Sequence, residues 1–463
     1  MAGTKNRLIV LTDINRGVER DDIQSLVRLL LYSNEIDIEG LIATTSCFLK
    51  NGARQRQKKC ILRIIHAYER IKCNLDKHAV GYPSPDYLRS KTFCGIPVFG
   101  KKFGKGFGEE RWSDNEGVNC ILNALNEQDE RPLWIAIWGG VNTLAQAIWT
   151  AEQRYSAQKF SEILSKLRIY SISDQDSGGH WLRRNYGDKL FYIVSPSPPY
   201  NSKLYYKATW PGISADNFAH GYNGGKNDKI SFGGADRKYI SQKWIKENIK
   251  SRSIYGRLYP RTRFIMEGDT PSFLSLIPNG LNNAEHPDFG GWGGRYILRK
   301  PCFGEFNTKE THSIWTNAED TVNGVDGRVY KSAQATIWRW REDFQNDFAM
   351  RMIWTATDNY SNAPHSPRII LLCPQRINAK CGQRVDLSAQ AESPDGAKLK
   401  ILWFCYAEAG TCAVNVYRAD SLQAYIVAPC LSGRHTSHIV LLVQSCGVIP
   451  VVAYARVIID ITD

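Results

Sequence analysis

Apolar strands alternate with amphipathic helices through the first 270 residues, and this alternation constrains the fold more than any other feature. Segments with the β-branched and apolar content of buried strands occur at 7–12, 36–45, 133–138, 169–172, 190–194 and 263–266. A long helix is expected later, at 331–354. Strands that alternate with helices predict an α/β fold with a mostly parallel sheet covered on both faces. Ligands of such sheets bind beyond the carboxyl ends of the strands.

The C-terminal part has a different pattern, in which short strands are separated by turn residues. These strands are predicted at 369–373, 385–389, 399–405, 425–428, 439–443 and 451–459. Their number and the length of the segment match an immunoglobulin-like β-sandwich. We therefore expect an α/β domain at 1–360, a linker at 361–367 and a β-sandwich domain at 368–463.

The chain has a formal net charge of +13, which raises the question of a polyanionic partner. The basic residues are scattered, however, and clusters such as Arg54 to Lys59 are short. Nucleic-acid binding is therefore disfavoured against an ordinary basic surface. No apolar run approaches the roughly 20 residues that a transmembrane helix needs, so no membrane partner is expected.

The number and placement of the cysteines bear on the cellular location of the protein. Half of the twelve fall in the C-terminal domain: Cys373, Cys381, Cys405, Cys412, Cys430 and Cys446. This density is typical of disulfide-containing extracellular domains. No signal peptide is visible at the start of this sequence. We expect a secreted protein whose signal is absent from the sequence given, with an intracellular location as the alternative.

Aspartates gather at the predicted strand ends. Asp13 ends the first strand, Asp21 and Asp22 open the following helix, and Asp269 comes after the segment at 263–266. Helix capping explains one such aspartate but not several. Carboxylates that converge repel one another unless a cation lies between them, and Ca²⁺ prefers six to eight oxygen ligands of this kind.

Together these segments resemble the inosine-uridine nucleoside hydrolases, whose opening aspartate signature is similar to Thr12–Asp13 and Asp21–Asp22. The chain is still more similar to the Sde182-type cellulose-binding, nucleoside-hydrolase-like proteins, with which it shares 172–176, 266–273 and 290–296. The resemblance covers nearly the whole chain, including the C-terminal sandwich. It implies a Ca²⁺ site whose ligands are Asp13, Asp21, Asp22, Asp269 and the backbone carbonyl of Asn142.

The resemblance also implies the reaction. The metal would hold a water that attacks an anomeric carbon, with Asp13 as the preferred base and Asp21 as the second choice. Nucleoside hydrolases carry a histidine before the late aspartate, whereas this chain has Glu267 and Gly268. Glu267 could instead protonate a sugar oxygen as a general acid, so we expect a calcium-dependent glycoside hydrolase. The alternatives are a non-catalytic cellulose-binding protein and a true nucleoside hydrolase.

Five further residues are candidates for binding a carbohydrate substrate: Asp174, Asp176, Trp181, Trp292 and Arg295. The two aspartates end a predicted strand, where carboxylates can accept hydrogen bonds from sugar hydroxyls. Trp292 lies between two Gly–Gly pairs, which suggests an exposed platform, and Arg295 could hold an anionic group. His220 and Tyr222 have no assigned role, and a homo-oligomer is one option that the sequence leaves open.

Overall fold

A computed structural model describes residues 5–196, 212–213, 217–218, 230–231, 234–263, 265–306 and 309–463. His220 and Tyr222 lie outside the described residues. Within the described ranges, no helix combines the length and apolar character needed to cross a bilayer.

The N-terminal part is built on an eight-stranded sheet with the order β11-β12-β8-β7-β6-β1-β2-β3. Neighbouring strands are parallel except for the antiparallel pair β11 and β12, which confirms the predicted mostly parallel sheet. The strands of this part, in chain order, are β1 (Asn6–Thr12), β2 (Ile36–Ala43), β3 (Thr92–Cys94), β4 (Lys102–Phe103), β5 (Gly106–Phe107), β6 (Leu133–Ile137), β7 (Leu167–Ser171), β8 (Phe191–Val194), β9 (Asn217–Phe218), β10 (Ile230–Ser231), β11 (Tyr296–Arg299), β12 (Ile314–Asn317), β13 (Asp320–Asn323) and β14 (Val329–Ser332).

Helices cover both faces of this sheet, as expected for buried parallel strands. One apolar layer contains residues of α1, α2 and α12, and the other contains residues of α5 to α8. The helices are α1 (Arg20–Leu30), α2 (Gln55–Glu69), α3 (Lys72–His78), α4 (Pro85–Ser90), α5 (Glu116–Asn126), α6 (Asn142–Arg154), α7 (Ala157–Lys166), α8 (Gly178–Tyr186), α9 (Gln242–Ile245), α10 (Pro271–Leu274), α11 (Ala335–Trp338) and α12 (Arg341–Trp354).

Two predicted elements are wrong. The described residues of the expected strand at 263–266 lie in a loop, because this segment bonds to the chain at Ile213 rather than to the main sheet. The expected helix at 331–354 is interrupted, since its first residues end β14 and two helices follow. The edge strands β3 and β11, and β12 next to β11, were not expected from the sequence. They are short and less apolar than the central strands, so their patterns are weak.

The C-terminal part is a sandwich of two four-stranded sheets, with the orders β15-β17-β20-β19 and β16-β22-β21-β18. Its apolar core, which includes Trp403, lies between them. Among its six cysteines one disulfide forms, between Cys381 and Cys430. The strands are β15 (Arg368–Leu371), β16 (Arg376–Lys380), β17 (Arg384–Glu392), β18 (Leu399–Cys405), β19 (Val416–Tyr417), β20 (Gln423–Val427), β21 (His435–Ser445) and β22 (Val452–Thr462).

The two parts share one apolar layer, because Tyr406, Val440 and Tyr454 of the sandwich belong to the same buried cluster as α1 and α12. Arg456 strengthens this contact by donating hydrogen bonds to the carbonyls of Leu281 and Gly290. The sandwich is therefore packed on the α/β part rather than attached only through the chain.

Candidate metal centre

Acidic side chains converge beyond the carboxyl end of β1. Asp13 follows this strand directly, and Asp21 and Asp22 occupy the first turn of α1. Carboxylate oxygens of Asp21, Asp22 and Asp269 lie within 4.8 Å of one another. A second such group joins Asp13, Asp22 and Glu19. The structure thus brings together all four aspartates that the sequence singled out.

Neutral hydroxyl groups orient two of these carboxylates. Thr12 donates a hydrogen bond to Asp22, and Ser46, which follows β2, donates one to Asp13. The backbone of the neighbouring strand ends is also tied together, since the amide of Thr44 donates to the carbonyl of Thr12 over 2.8 Å. Thr12 and Asp13 therefore lie at a strand end that is hydrogen-bonded to its neighbour.

Asp269 reaches the cluster from a loop rather than from the strand that we expected. Its backbone carbonyl accepts hydrogen bonds from the amide and the hydroxyl of Ser272, at 3.1 and 2.6 Å. The indole of Trp138, beyond the end of β6, donates to the same hydroxyl over 2.9 Å. The Oδ2 atom of Asp269 is buried without a hydrogen-bond partner among the described residues.

The pKa values of all five acids are raised. Burial is the largest cause, and it raises the pKa of Asp13 to about 7 and that of Asp21 to about 6. Burial and then the charges of Asp13 and Asp21 raise the pKa of Glu19 to about 10. The pKa values of Asp22 and Asp269 lie well above their ordinary value because of burial and the neighbouring carboxylates. The cluster holds more negative charge than its protein surroundings neutralise.

A hard divalent cation fits this donor set. Oxygen ligands on opposite sides of Ca²⁺ are separated by about 4.8 Å, twice its usual ligand distance, so each group of carboxylates could share one ion. All of the donors are carboxylate oxygens, which Ca²⁺ and Mg²⁺ prefer to softer metals. The unpartnered oxygen of Asp269 would also gain a ligand.

Glu267 lies two residues before Asp269 but has a different environment. It is 0 % exposed, and its oxygens accept hydrogen bonds from the Arg28 guanidinium at 2.6 and 2.9 Å. Tyr259 and Thr270 also donate to this carboxylate, both over 2.7 Å. This corrects the expected role of Glu267, because a carboxylate held by an arginine and two hydroxyls is an acceptor and not a general acid.

Asn142 and Asp176 form a separate contact beside the cluster. The amide of Asn142 donates to Asp176 over 2.9 Å, and the amide of Gly178 donates to the other oxygen over 2.8 Å. Asp176 therefore binds the N-termini of α6 and α8, where negative charge is favoured. Asn142 is the first residue of α6, so its carbonyl is directed into the helix and does not serve as the free metal ligand that the resemblance implied.

Asp174 is also held by protein groups. The guanidinium of Arg183 donates to both of its oxygens, at 2.9 and 2.6 Å, and Glu310 binds the same arginine. Trp181 is half-buried and stacks on Phe103 with ring centroids 5.5 Å apart. Phe103 is 48 % exposed and presents the more accessible ring of the pair. The sequence had not indicated Phe103 as a binding residue.

Trp292 and Arg295 do not face solvent. Trp292 is 1 % exposed and donates through its indole to the hydroxyl of Tyr454 over 3.3 Å. The expected exposed platform is therefore wrong. Gly290 lets the sandwich domain pack closely here, because a Cβ on it would be 2.4 Å from the hydroxyl oxygen of Tyr406. Arg295 is buried in an ion pair with Asp320, at 2.7 Å, and has a structural partner in place of an anionic ligand.

Glu19 is the residue of the cluster that sequence reasoning did not assign. It lies in the loop between β1 and α1, six residues from Asp13, and no periodic pattern indicates its direction. The loop places its carboxylate with Asp13 and Asp22. The sequence signal that could have identified Glu19 is its position in a loop that has Asp13 at one end and Asp21 and Asp22 at the other.

Two family models match the chain. Residues 7–296 match the family described as "Cellulose-binding Sde182, nucleoside hydrolase-like domain". Residues 384–461 match the family described as "Cellulose-binding protein Sde0182, C-terminal domain". A search of curated proteins found no match.

Among solved structures, a nucleoside hydrolase-related hypothetical protein from Saccharophagus degradans, described as associated with carbohydrate metabolism, is 32 % identical with a TM-score of 0.80. The match covers 99 % of this chain and 100 % of that one. Fibronectin(III)-like modules of Clostridium thermocellum CbhA match with 11 % identity and a TM-score of 0.15, over 32 % of this chain and 60 % of that one, and they carry no argument. The full-length match supports a shared α/β domain and sandwich.

Proposed function

The chain belongs to the family of Sde182-type cellulose-binding, nucleoside-hydrolase-like proteins, and on that premise we propose that it is a Ca²⁺-dependent hydrolase of glycosidic bonds. The observation that carries the proposal is the convergence of five acids, including an oxygen of Asp269 that is buried without a hydrogen-bond partner among the described residues. Binding of a glycan alone does not require so much uncompensated negative charge.

The residues that would hold the cation are Asp13, Asp21, Asp22 and Asp269, with Glu19 as an additional ligand. When bound, the cation would neutralise these carboxylates, lower the pKa of a coordinated water and orient it. The surrounding anions would stabilise the positive charge that develops on a sugar ring during cleavage.

Asp13 is our preferred general base, and Asp21 is the second candidate. Asp13 follows the end of a central strand and is oriented by the hydroxyl of Ser46, and one of its carboxylate oxygens lies within 4.8 Å of those of Glu19 and Asp22. Its position is therefore well defined, as proton transfer in a transition state requires. We do not assign protonation of the leaving group to Glu267, because that carboxylate is bound by Arg28.

Carbohydrate is the proposed substrate because both matching family models describe cellulose-binding proteins and the S. degradans relative is described as associated with carbohydrate metabolism. Phe103 and Trp181 provide an aromatic pair near the loop that contains Asp174 and Asp176. Aromatic rings commonly pack against sugar faces, which agrees with this substrate class. We further propose a secreted protein, which the disulfide between Cys381 and Cys430 supports.

The test compares metal-stripped and Ca²⁺-reloaded protein on cello-oligosaccharides, other plant and fungal glycans, inosine and uridine. We expect new reducing ends from a glycan only after Ca²⁺ is restored, and no base release from the nucleosides. Cleavage that persists in excess chelator would contradict the metal requirement. Preferential hydrolysis of inosine or uridine would identify a nucleoside hydrolase instead.

A non-catalytic carbohydrate-binding protein is the second candidate, favoured by the descriptions of the family. In that case, the metal would organise a binding surface without cleavage. Bound oligosaccharide that stays chemically unaltered for days in the presence of Ca²⁺ would favour this candidate. Release of shorter products that depends on Asp13 would exclude it.

A further inference from the structure

A basic pocket is lined by residues that neighbour the acidic cluster in the chain, among them Arg20, which directly precedes Asp21. Its cavity is about 300 Å³, at the lower end of the range for small-molecule sites, which suits one or two sugar units. Five of the lining residues are cationic: Arg16, Arg20, Arg63, Lys250 and Arg257. Among the described residues, the lining contains no acidic side chain. A concave surface of one sign concentrates ligands of the opposite charge.

The cations of this pocket lack carboxylate partners in the described part of the chain. Arg20 donates to the carbonyl of Arg16 over 3.2 Å, and Lys250 donates to the carbonyl of Tyr259 over 2.8 Å. These bonds hold the side chains without neutralising them. Elsewhere in the described ranges, buried arginines such as Arg28 and Arg183 bind carboxylates directly. Several cations that share a cavity without counter-ions repel one another unless an anion binds there.

An alternative explanation is that these cations neutralise the carboxylates of the acidic cluster. The cation that lowers the pKa of Glu19 is Arg263, which lies outside the pocket lining. Arg263 also donates to the carbonyl of Gly17 over 2.6 Å and so contacts the loop between β1 and α1. The pocket cations come from the loop and first turn of α1, from α2 and from the segment at 250–260, and they line a cavity that a ligand could enter.

The pocket also has apolar walls, formed by Ile23, Ile64, Leu258 and Pro260. Together with Tyr259 they could contact the face of a sugar ring while the guanidinium groups bind an oxyanion. Arg16 and Arg20 belong to the same loop and helix start as Asp13 and Asp21, so the pocket and the acidic cluster adjoin along the chain. One extended ligand could reach both.

We infer that this pocket binds an acidic substituent, a carboxylate or sulfate, of an oligosaccharide whose neighbouring unit lies at the acidic cluster. The inference rests on the proposed function for the identity of the ligand as a glycan. It adds that the preferred glycan is anionic, whereas cellulose is neutral.

The test is calorimetric titration of the full chain with trigalacturonic acid, a sulfated trisaccharide, cellotriose, inorganic sulfate and an RNA trimer. The variant is Arg63→Ala/Arg257→Ala, which changes two exposed side chains of the pocket. The matched control is Arg70→Ala, which removes an exposed arginine of equal charge two turns further along, at the end of α2. Thermal melting of each variant verifies that it folds.

We expect an acidic trisaccharide to bind at least tenfold more tightly than cellotriose, with a Kd that rises as NaCl is added. The double variant should raise that Kd at least tenfold per arginine removed, whereas the control should leave it unchanged. The favoured trisaccharide, carboxylated or sulfated, identifies the substituent. Inorganic sulfate binding without any preference for acidic sugars, tighter binding of RNA, or equal effects of variant and control would overturn the inference.

The two proposals fail separately. If Asp13→Ala abolishes cleavage while the pocket variants leave acidic-glycan affinity unchanged, the inference is wrong and the proposed function stands. If the pocket variants lose acidic-glycan affinity but no glycan is cleaved, the anionic site stands and the hydrolase is wrong.

Discussion

Two buried acids separated by a single glycine, Glu267 and Asp269, have opposite environments. The carboxylate of Glu267 is held by Arg28 and two hydroxyl groups, whereas one oxygen of Asp269 has no protein partner among the described residues. Gly268 lets this loop approach Asp21 of the cluster, because a Cβ there would be 2.3 Å from an oxygen of Asp21. Burial alone therefore does not distinguish a structural acid from a metal ligand; the partners do.

The difference has an energetic meaning. A buried ion pair such as Arg28–Glu267 costs much to break, since either partner alone is an uncompensated charge. In the protein without a cation, each acid of the cluster is already a buried charge with no opposite charge beside it. Replacing one such acid by a neutral residue should therefore reduce the repulsion between the remaining carboxylates. Substitutions in the Arg28–Glu267 pair should lower the free energy of unfolding, whereas removal of a cluster acid should raise it in metal-free protein.

The largest effect is expected on activity. Asp13→Ala removes the preferred base and a cation ligand together, and the rate of glycan cleavage in saturating Ca²⁺ should fall by a factor on the order of 1,000 or more. The control is Asp114→Ala, at an exposed aspartate paired only with Arg154 on the surface. A residual rate within tenfold of the unsubstituted protein would show that Asp13 is not in the reaction centre.

The next effect concerns Arg28. Arg28→Met leaves Glu267 buried without its cation and should lower the free energy of unfolding by about 3–5 kcal/mol. Urea denaturation measures this change. Arg28→Met/Glu267→Leu should recover part of the loss, because both charges are then absent. A double variant less stable than the single one would contradict this account of the pair.

Asp269→Asn should have the opposite sign in metal-free protein. Removing one of the converging negative charges should raise the free energy of unfolding by roughly 1–2 kcal/mol. The same change should reduce the stabilisation by Ca²⁺, which for an intact site is about 2.7 kcal/mol at a hundredfold excess over Kd. Thermal melting with chelator and with Ca²⁺ measures both, and unchanged calcium stabilisation would remove Asp269 from the ligand set.

Asp343 is a third kind of buried acid, with the neutral hydroxyl of Tyr454 as its donor. Burial raises its pKa to about 7, so above the pKa of the unfolded chain the folded protein binds more protons. Stability should therefore fall as pH rises from about 4 to about 7, with a slope of at most about 1.4 kcal/mol per pH unit from this group. Asp343→Asn should flatten that slope in urea titrations across this range; an unaltered slope would assign it to other acids.

Much of the fold could be predicted because its signals are local. The central strands β1, β2 and β6 are apolar runs long enough to be recognised, and strand ends in a parallel sheet share one edge. That rule placed Asp13 with Asp21 and Asp22. The strands β11 and β12 were missed because each has only four residues and a weaker apolar pattern than the central strands.

The sequence by itself determined the four aspartates of the cluster, since each follows or opens a recognisable element or a motif. Only the tertiary structure decided which neighbouring polar residues are free. In the folded chain Glu267 is paired with Arg28, Trp292 is covered by the sandwich domain, and Glu19 joins the cluster from a loop. The physical reason is that a side chain's partners come from distant segments, whereas its position at a strand end or helix start depends on a few neighbouring residues.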